Sequence, residues 1–171
     1  MQSKAEAYAE KHGTLMPEIR ERVQPFFPSF DLEKVRVKIV EGKESITGSR
    51  VWVLGNTIRF TRGAMDYPVV LTPVEDEPTS TSSRKFTTNQ AIDLHTITGM
   101  GCLVHEVCHV WQYYRSGWLA MVVSSVQGLL RGLTKGVLRY SHDDAPMERE
   151  AMALELRFFL TGRILDGERY V

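Results

Sequence analysis

Cysteine is scarce in this chain, with two residues in 171, Cys102 and Cys108. They stand six apart on a predicted helix and therefore on different faces, which excludes a short-range disulfide between them and favours a reducing compartment. Long apolar runs are also missing. The longest, Trp118 to Val123, falls far short of the roughly 20 residues that a membrane-spanning helix needs. The N-terminal stretch MQSKAEAYAEKHG carries both charge signs and no continuous apolar core, so it is not expected to act as a secretory signal. A charge excess is absent too, since 21 Lys and Arg balance 21 Asp and Glu. That balance argues against a nucleic-acid partner, because a phosphate-binding surface brings a basic excess with it.

What is present has globular proportions: 43% hydrophobic and 25% charged residues. One domain over 1–171 is expected, large enough to bury its own core. The zero balance is an average of unlike stretches. Counted along the chain, residues 1–50, 51–100, 101–140 and 141–171 carry net charges of +1, −1, +3 and −3, and Glu106 is the single acid of the third stretch.

Local patterns predict an α+β fold. Ala-rich 3–12 reads as a helix stopped by Gly13, and Pro17 opens a second helix that ends near Gln24 before Pro25. VRVKIV (35–40), VWVL (51–54) and TIRF (57–60) read as strands, with Gly55-Asn56 as a tight turn between the last two. The expected sheet is small and mainly antiparallel. Residues 72–90, rich in Pro, Ser, Thr and charge, read as a mobile surface loop. A long helix is expected from about 91 or 98 to Tyr114, and a last one over about 146–160, with Asp143 or Asp144 as N-cap and Pro146 in its first turn. Between them, 116–139 is a Gly-rich basic amphipathic insert that repeats as GLLR, GLTK and GVLR. The stretch 115–140 has four cations and no acid, which suits either packing beside the long helix or contact with an anionic membrane surface.

His105-Glu106-Val107-Cys108-His109 is the sharpest signal. Four residues is about one helical turn, so both imidazoles project from one face and can reach one tetrahedral metal ion. Glu106 sits beside the first histidine, placed to act as general base on a metal-bound water, as in the helix motif of zinc-dependent peptidases. Burying two histidines and a carboxylate without a purpose is costly, and the preceding Met100, Cys102, Leu103 and Val104 would bury this helix. Cys102, one turn earlier, is available as a thiolate ligand but reads as a small core residue, as does Cys108.

A catalytic zinc site needs a third protein ligand and an open fourth position. On a helical wheel of 146–159, Met147, Ala151, Leu154 and Phe158 share an apolar arc, and Glu148 falls inside it. A carboxylate turned toward the core needs a cation, so Glu148 is the preferred third ligand. Glu150, outside the arc and near Arg157, and Glu155, inside it, are its rivals; Glu155 also suits a partner to a ligating histidine.

HEVCHVWQ (105–112), preceded by GMGCLV (99–104), resembles the His-Glu-x-x-His-x-x-Gln motif of gluzincin-type metallopeptidases. More narrowly, the chain resembles the metallopeptidase domain associated with bacterial extracellular contractile injection systems and related toxin loci, the eCIS core domain. DLEKVRVKIVEG (31–42) and SRVWVLGNTIRFTRG (49–63) resemble segments that precede the His-Glu helix there, so the likeness covers 31–63, 98–114 and 146–152. The family pattern Glu-x-x-Ala-Asp is matched by Glu148 and Ala151, but Met152 stands where the Asp would be.

The resemblance implies a zincin-like fold, in which the sheet packs on the long His-Glu helix and the C-terminal helix brings the third ligand. It also implies a bacterial peptidase with a protein or peptide substrate and a secretion-system partner, either cytoplasmic or exported without a classical signal peptide. The expected chemistry is hydrolysis at one zinc ion held by His105, His109 and Glu148, with Glu106 as base. Tyr140 and His142, ahead of Tyr113 and Tyr114, are the candidates for a hydrogen-bond donor to the developing oxyanion. The alternative expectation is a catalytically silent zincin-fold binding or structural module in a secretion apparatus.

Overall fold

The computed structural model describes residues 4–41, 51–65, 97–134 and 145–165. Among these the fold is α+β, with four helices and one three-stranded sheet. Helix α1 (Lys4–His12) ends where Gly13 takes φ +68° and donates its N–H to the Ala9 carbonyl at 2.7 Å, a left-handed cap that glycine adopts without strain. Helix α2 (Pro17–Val23) starts on a proline whose missing N–H costs nothing at that position, and passes into a 3₁₀ turn, Gln24–Phe26. The Gln24 side chain holds the next bend by donating to the carbonyls of Phe27 (2.8 Å) and Phe30 (3.0 Å). In the following turn, Leu32–Lys34, Asp31 accepts the Glu33 N–H at 2.9 Å.

Strands β1 (Arg36–Val40), β2 (Val51–Leu54) and β3 (Thr57–Thr61) form a sheet in the order β1-β3-β2. The Gly55-Asn56 turn joins β2 to β3 antiparallel, with Gly55 at φ +63°. β1 pairs with the other edge of β3 in parallel register, Val37 beside Ile58 and Ile39 beside Phe60. The sheet is therefore mixed and not mainly antiparallel. A two-residue turn dictates only the pair it joins, whereas a parallel neighbour depends on a crossover that carries no short-range signature.

Helix α3 (Ile97–Thr134) runs twenty residues past its expected end at Tyr114, and the backbone breaks inside it at Gly117 (φ 76°, ψ 170°). Before the break, α3 carries two stripes. Met100, Leu103, Val104, Val107 and Val110 are buried against the sheet and the N-terminal turns, together with Leu15, Leu32, Ile58 and Phe60. Each such side chain contributes about 1.5–3 kcal/mol by leaving water. Cys102, His105, His109 and Gln112, spaced by three or four, form the second stripe and meet α4 (Pro146–Leu165).

The two helices approach closely because position 101 is glycine, where a Cβ would lie 2.6 Å from the Phe159 ring. Ala151 and Phe158 anchor α4 in the core. At its start, the Met147 N–H donates to Ser124 Oγ at 3.1 Å, so a hydroxyl from α3 meets one of the N–H groups that a helix start leaves without an intrahelical partner. The expected caps Asp143 and Asp144 lie outside the described residues, as do loop 72–90 and the repeat beyond Thr134.

Past Gly117 the burial of α3 is inverted. Ser124 and Gly128 turn inward, while Trp118, Leu119, Val122, Val123, Val126 and Leu130 stand 46–66% exposed. Among the described residues, no helix is long and apolar enough to cross a membrane.

Candidate metal centre

The single turn between His105 and His109 sets their Nε2 atoms 3.1 Å apart. From α4, Glu148 brings Oε2 to 3.3 Å from each of them. Two imidazole nitrogens and one carboxylate oxygen thus form a near-equilateral triangle able to hold a metal ion. A tetrahedral zinc centre with bonds of about 2.0–2.1 Å has donor–donor edges of about 3.3–3.4 Å, so the triangle has the size of one tetrahedral face. The three side chains are largely buried, 11–14% exposed.

The far nitrogens are occupied as well. His105 Nδ1 lies 3.2 Å from Glu155 Oε2, so Glu155 backs a histidine and does not join the triangle. His109 Nδ1 lies 2.9 Å from Gln112 Oε1. Glu150 pairs with Arg115, not Arg157, through two hydrogen bonds of 2.8 and 2.7 Å, and Arg115 lies 4.3 Å from the Trp111 ring centre. That pairing holds the Glu150 carboxyl below the usual carboxylate range.

Glu106 is half-buried next to the first histidine. Cys102 is partly buried with Sγ 3.8 Å from Glu155 Oε1, and Cys108 is fully buried; burial first, then nearby carboxylates, push both thiols up to about 12. Neither thiol is in the triangle, in keeping with their reading as packing residues.

Tyr113 and Tyr114 are engaged elsewhere. The Tyr113 ring lies against Gly55, and Tyr114 Oη accepts from Asn56 Nδ2 at 3.4 Å, both at the β2–β3 turn. Tyr140 and His142 lie outside the described residues. The motif His-Glu-x-x-His-x-x-Gln included Gln112 without a role; its contact with His109, and Arg115 as the partner of Glu150, come from the structure. Three-residue spacing from His109 is the signal that could have found Gln112; none marked Arg115, whose partner is 35 residues away.

Burial opposes protonation of His105, but the hydrogen bonds of Glu148 and Glu155 and the charges of Glu106 and Glu148 outweigh it and raise its pKa from 6.5 to about 10. His109 is raised in the same way, against its burial, chiefly by Glu148. A raised pKa means that the folded state binds the proton more tightly, so this stabilisation is full below pH 6.5 and lost as pH climbs to about 10. A metal ion competes for the same nitrogens and gains as protons leave. Chelator-treated protein is expected to lose thermal stability between pH 6.5 and 10, and zinc affinity to rise over the same interval. Parallel melting curves and zinc titrations at three pH values check both slopes; a zinc affinity that falls with rising pH contradicts the assignment.

No protein family, no curated protein and no solved structure matches this chain.

Proposed function

We propose that the chain is a zincin-type, zinc-dependent metallopeptidase that hydrolyses peptide bonds. The observation that carries the reading is the triangle of His105 Nε2, His109 Nε2 and Glu148 Oε2, with edges of 3.1, 3.3 and 3.3 Å. Two nitrogens and one carboxylate suit zinc, and with three protein donors the fourth position is kept for chemistry. The resemblance of 99–112 and 148–151 to the eCIS core metallopeptidases points the same way.

Zinc supplies a Lewis acid that brings the pKa of a water toward about 7 and polarises a carbonyl. The chain's own groups do the rest. Glu106 neighbours the donor triangle without belonging to it, so its carboxylate takes the proton from the attacking water and delivers it to the departing amine nitrogen. Glu155 and Gln112 keep Nδ1 of the two histidines engaged, so that Nε2 of each is left on the side of Glu148, where it would hold the ion.

A peptide library incubated with the zinc-loaded chain tests the reading. Cleavage that stops with chelator and returns with zinc is expected; stoichiometric zinc with no cleavage under any condition sinks the peptidase. That outcome would leave the second reading, a silent zincin-fold binding module, which the outward apolar face of Trp118, Leu119, Val122 and Val126 favours.

A further inference from the structure

Gln112 is fully buried, and both polar atoms of its side chain have partners. Its Nε2 lies 2.9 Å from the Met147 carbonyl and 2.9 Å from Glu150 Oε2. Both are acceptors: a backbone carbonyl, and a carboxylate held ionised by Arg115. The –NH₂ end of the amide must therefore face α4, which turns Oε1 toward His109. An amide oxygen only accepts, so His109 Nδ1 carries a hydrogen, and once the ring is neutral Nε2 carries the lone pair on the side of Glu148 and His105. The tautomer thus follows from the partners without any observed hydrogen.

The same amide also restrains the third donor. Met147 precedes Glu148 in the chain, so the bond to its carbonyl holds the first turn of α4 at the height of His109. Glu150, two residues after Glu148, is gripped by Gln112 and by both terminal nitrogens of Arg115. A single side chain on α3 thereby orients one metal donor and seats the helix that carries another. His105 differs, since a carboxylate, Glu155, stands behind its Nδ1. With Glu106, Glu148 and Glu155 already around the site, a neutral amide behind His109 avoids a fourth negative charge.

We propose that Gln112 is a positioning residue of the metal centre, which sets metal affinity by fixing the His109 tautomer and latching α4 beside it. This rests on the reading of His105, His109 and Glu148 as a zinc site, and not on peptidase activity.

The test uses zinc and cobalt(II) binding by the full chain. Gln112→Leu keeps the bulk but removes both functions; its zinc Kd is expected to rise about 10–100-fold, with a changed cobalt(II) visible spectrum. Gln112→Glu keeps the acceptor for His109 Nδ1 while losing the donors to α4, and is expected to recover at least half of that loss on a logarithmic scale. Gln112→Leu binding zinc within threefold of wild type overturns the proposal, and so does equal weakening in both variants, which would show that the contact with His109 does nothing for the metal. Should neither variant fold, long-range ¹H–¹⁵N spectra of the zinc-loaded wild type decide: Nδ1–H with metal on Nε2 of His109 is expected, and metal on Nδ1 overturns it. A chain that binds zinc and cleaves nothing sinks the peptidase reading alone.

Discussion

Glu106→Gln is expected to reduce peptide hydrolysis by about 10²–10⁴-fold while leaving zinc bound, because an amide of the same size cannot take a proton from the attacking water. The separation of the two readouts is what gives the substitution its force. Glu106 is next to His105 in the chain, yet the metal triangle is made by His105, His109 and Glu148 without it. Its loss therefore removes a proton acceptor and no ligand. Its charge does help to raise the pKa of both histidines, so the neutral variant is also expected to hold protons there less tightly. Turnover rates against a cleaved peptide, with zinc content measured on the same sample, check both halves. A variant that retains full activity would end the role of Glu106 as base, and one that loses zinc along with activity would make it a structural residue of the site.

Much of this site can be read from spacing alone. Two histidines four apart on a helix must share a face, and the burial of Met100, Leu103 and Val104 on the opposite stripe shows why that face turns toward α4. Glu148 stood out because it interrupts the apolar arc that holds Ala151 and Phe158, both of which are buried. The arc did not resolve which carboxylate would face the metal and which would stand behind a histidine. That depends on the height of α4 relative to α3, which is set by contacts between residues far apart in sequence: Gln112 with Met147, Ser124 with Met147, and the close approach at Gly101. For the same reason a wheel of α4 alone placed Glu150 near Arg157, when its partner is Arg115 on the other helix. The strands followed from β-branched runs and a Gly-Asn turn, but the parallel pairing of β1 with β3 did not, since no local chemistry specifies it. The break at Gly117 was likewise silent, because a glycine inside an apolar stretch is as compatible with a continuous helix as with a left-handed kink.

Glu148→Ala is expected to have the largest effect on the metal itself. The substitution removes the one donor that α4 supplies and leaves two imidazoles, which hold zinc far less tightly than a three-donor set with a carboxylate. Losing a residue that merely backs a ligand costs about 10–100-fold in affinity, so the loss of the ligand is expected at about 100-fold or more. Ala151 and Phe158 still anchor α4, so the helix keeps its place and the effect reads on the metal and not on the fold. Glu155→Ala is the useful contrast, because Glu155 lies on the far nitrogen of His105 and its removal is expected to fall in the smaller range. The central claim is that His105, His109 and Glu148 hold one zinc ion. Zinc titrated into metal-free wild type and Glu148→Ala, side by side, measures it most directly. One ion per wild-type chain, with the variant's Kd raised about 100-fold or more, is the predicted result; an unchanged Kd in the variant, or no stoichiometric zinc in the wild type, would contradict it.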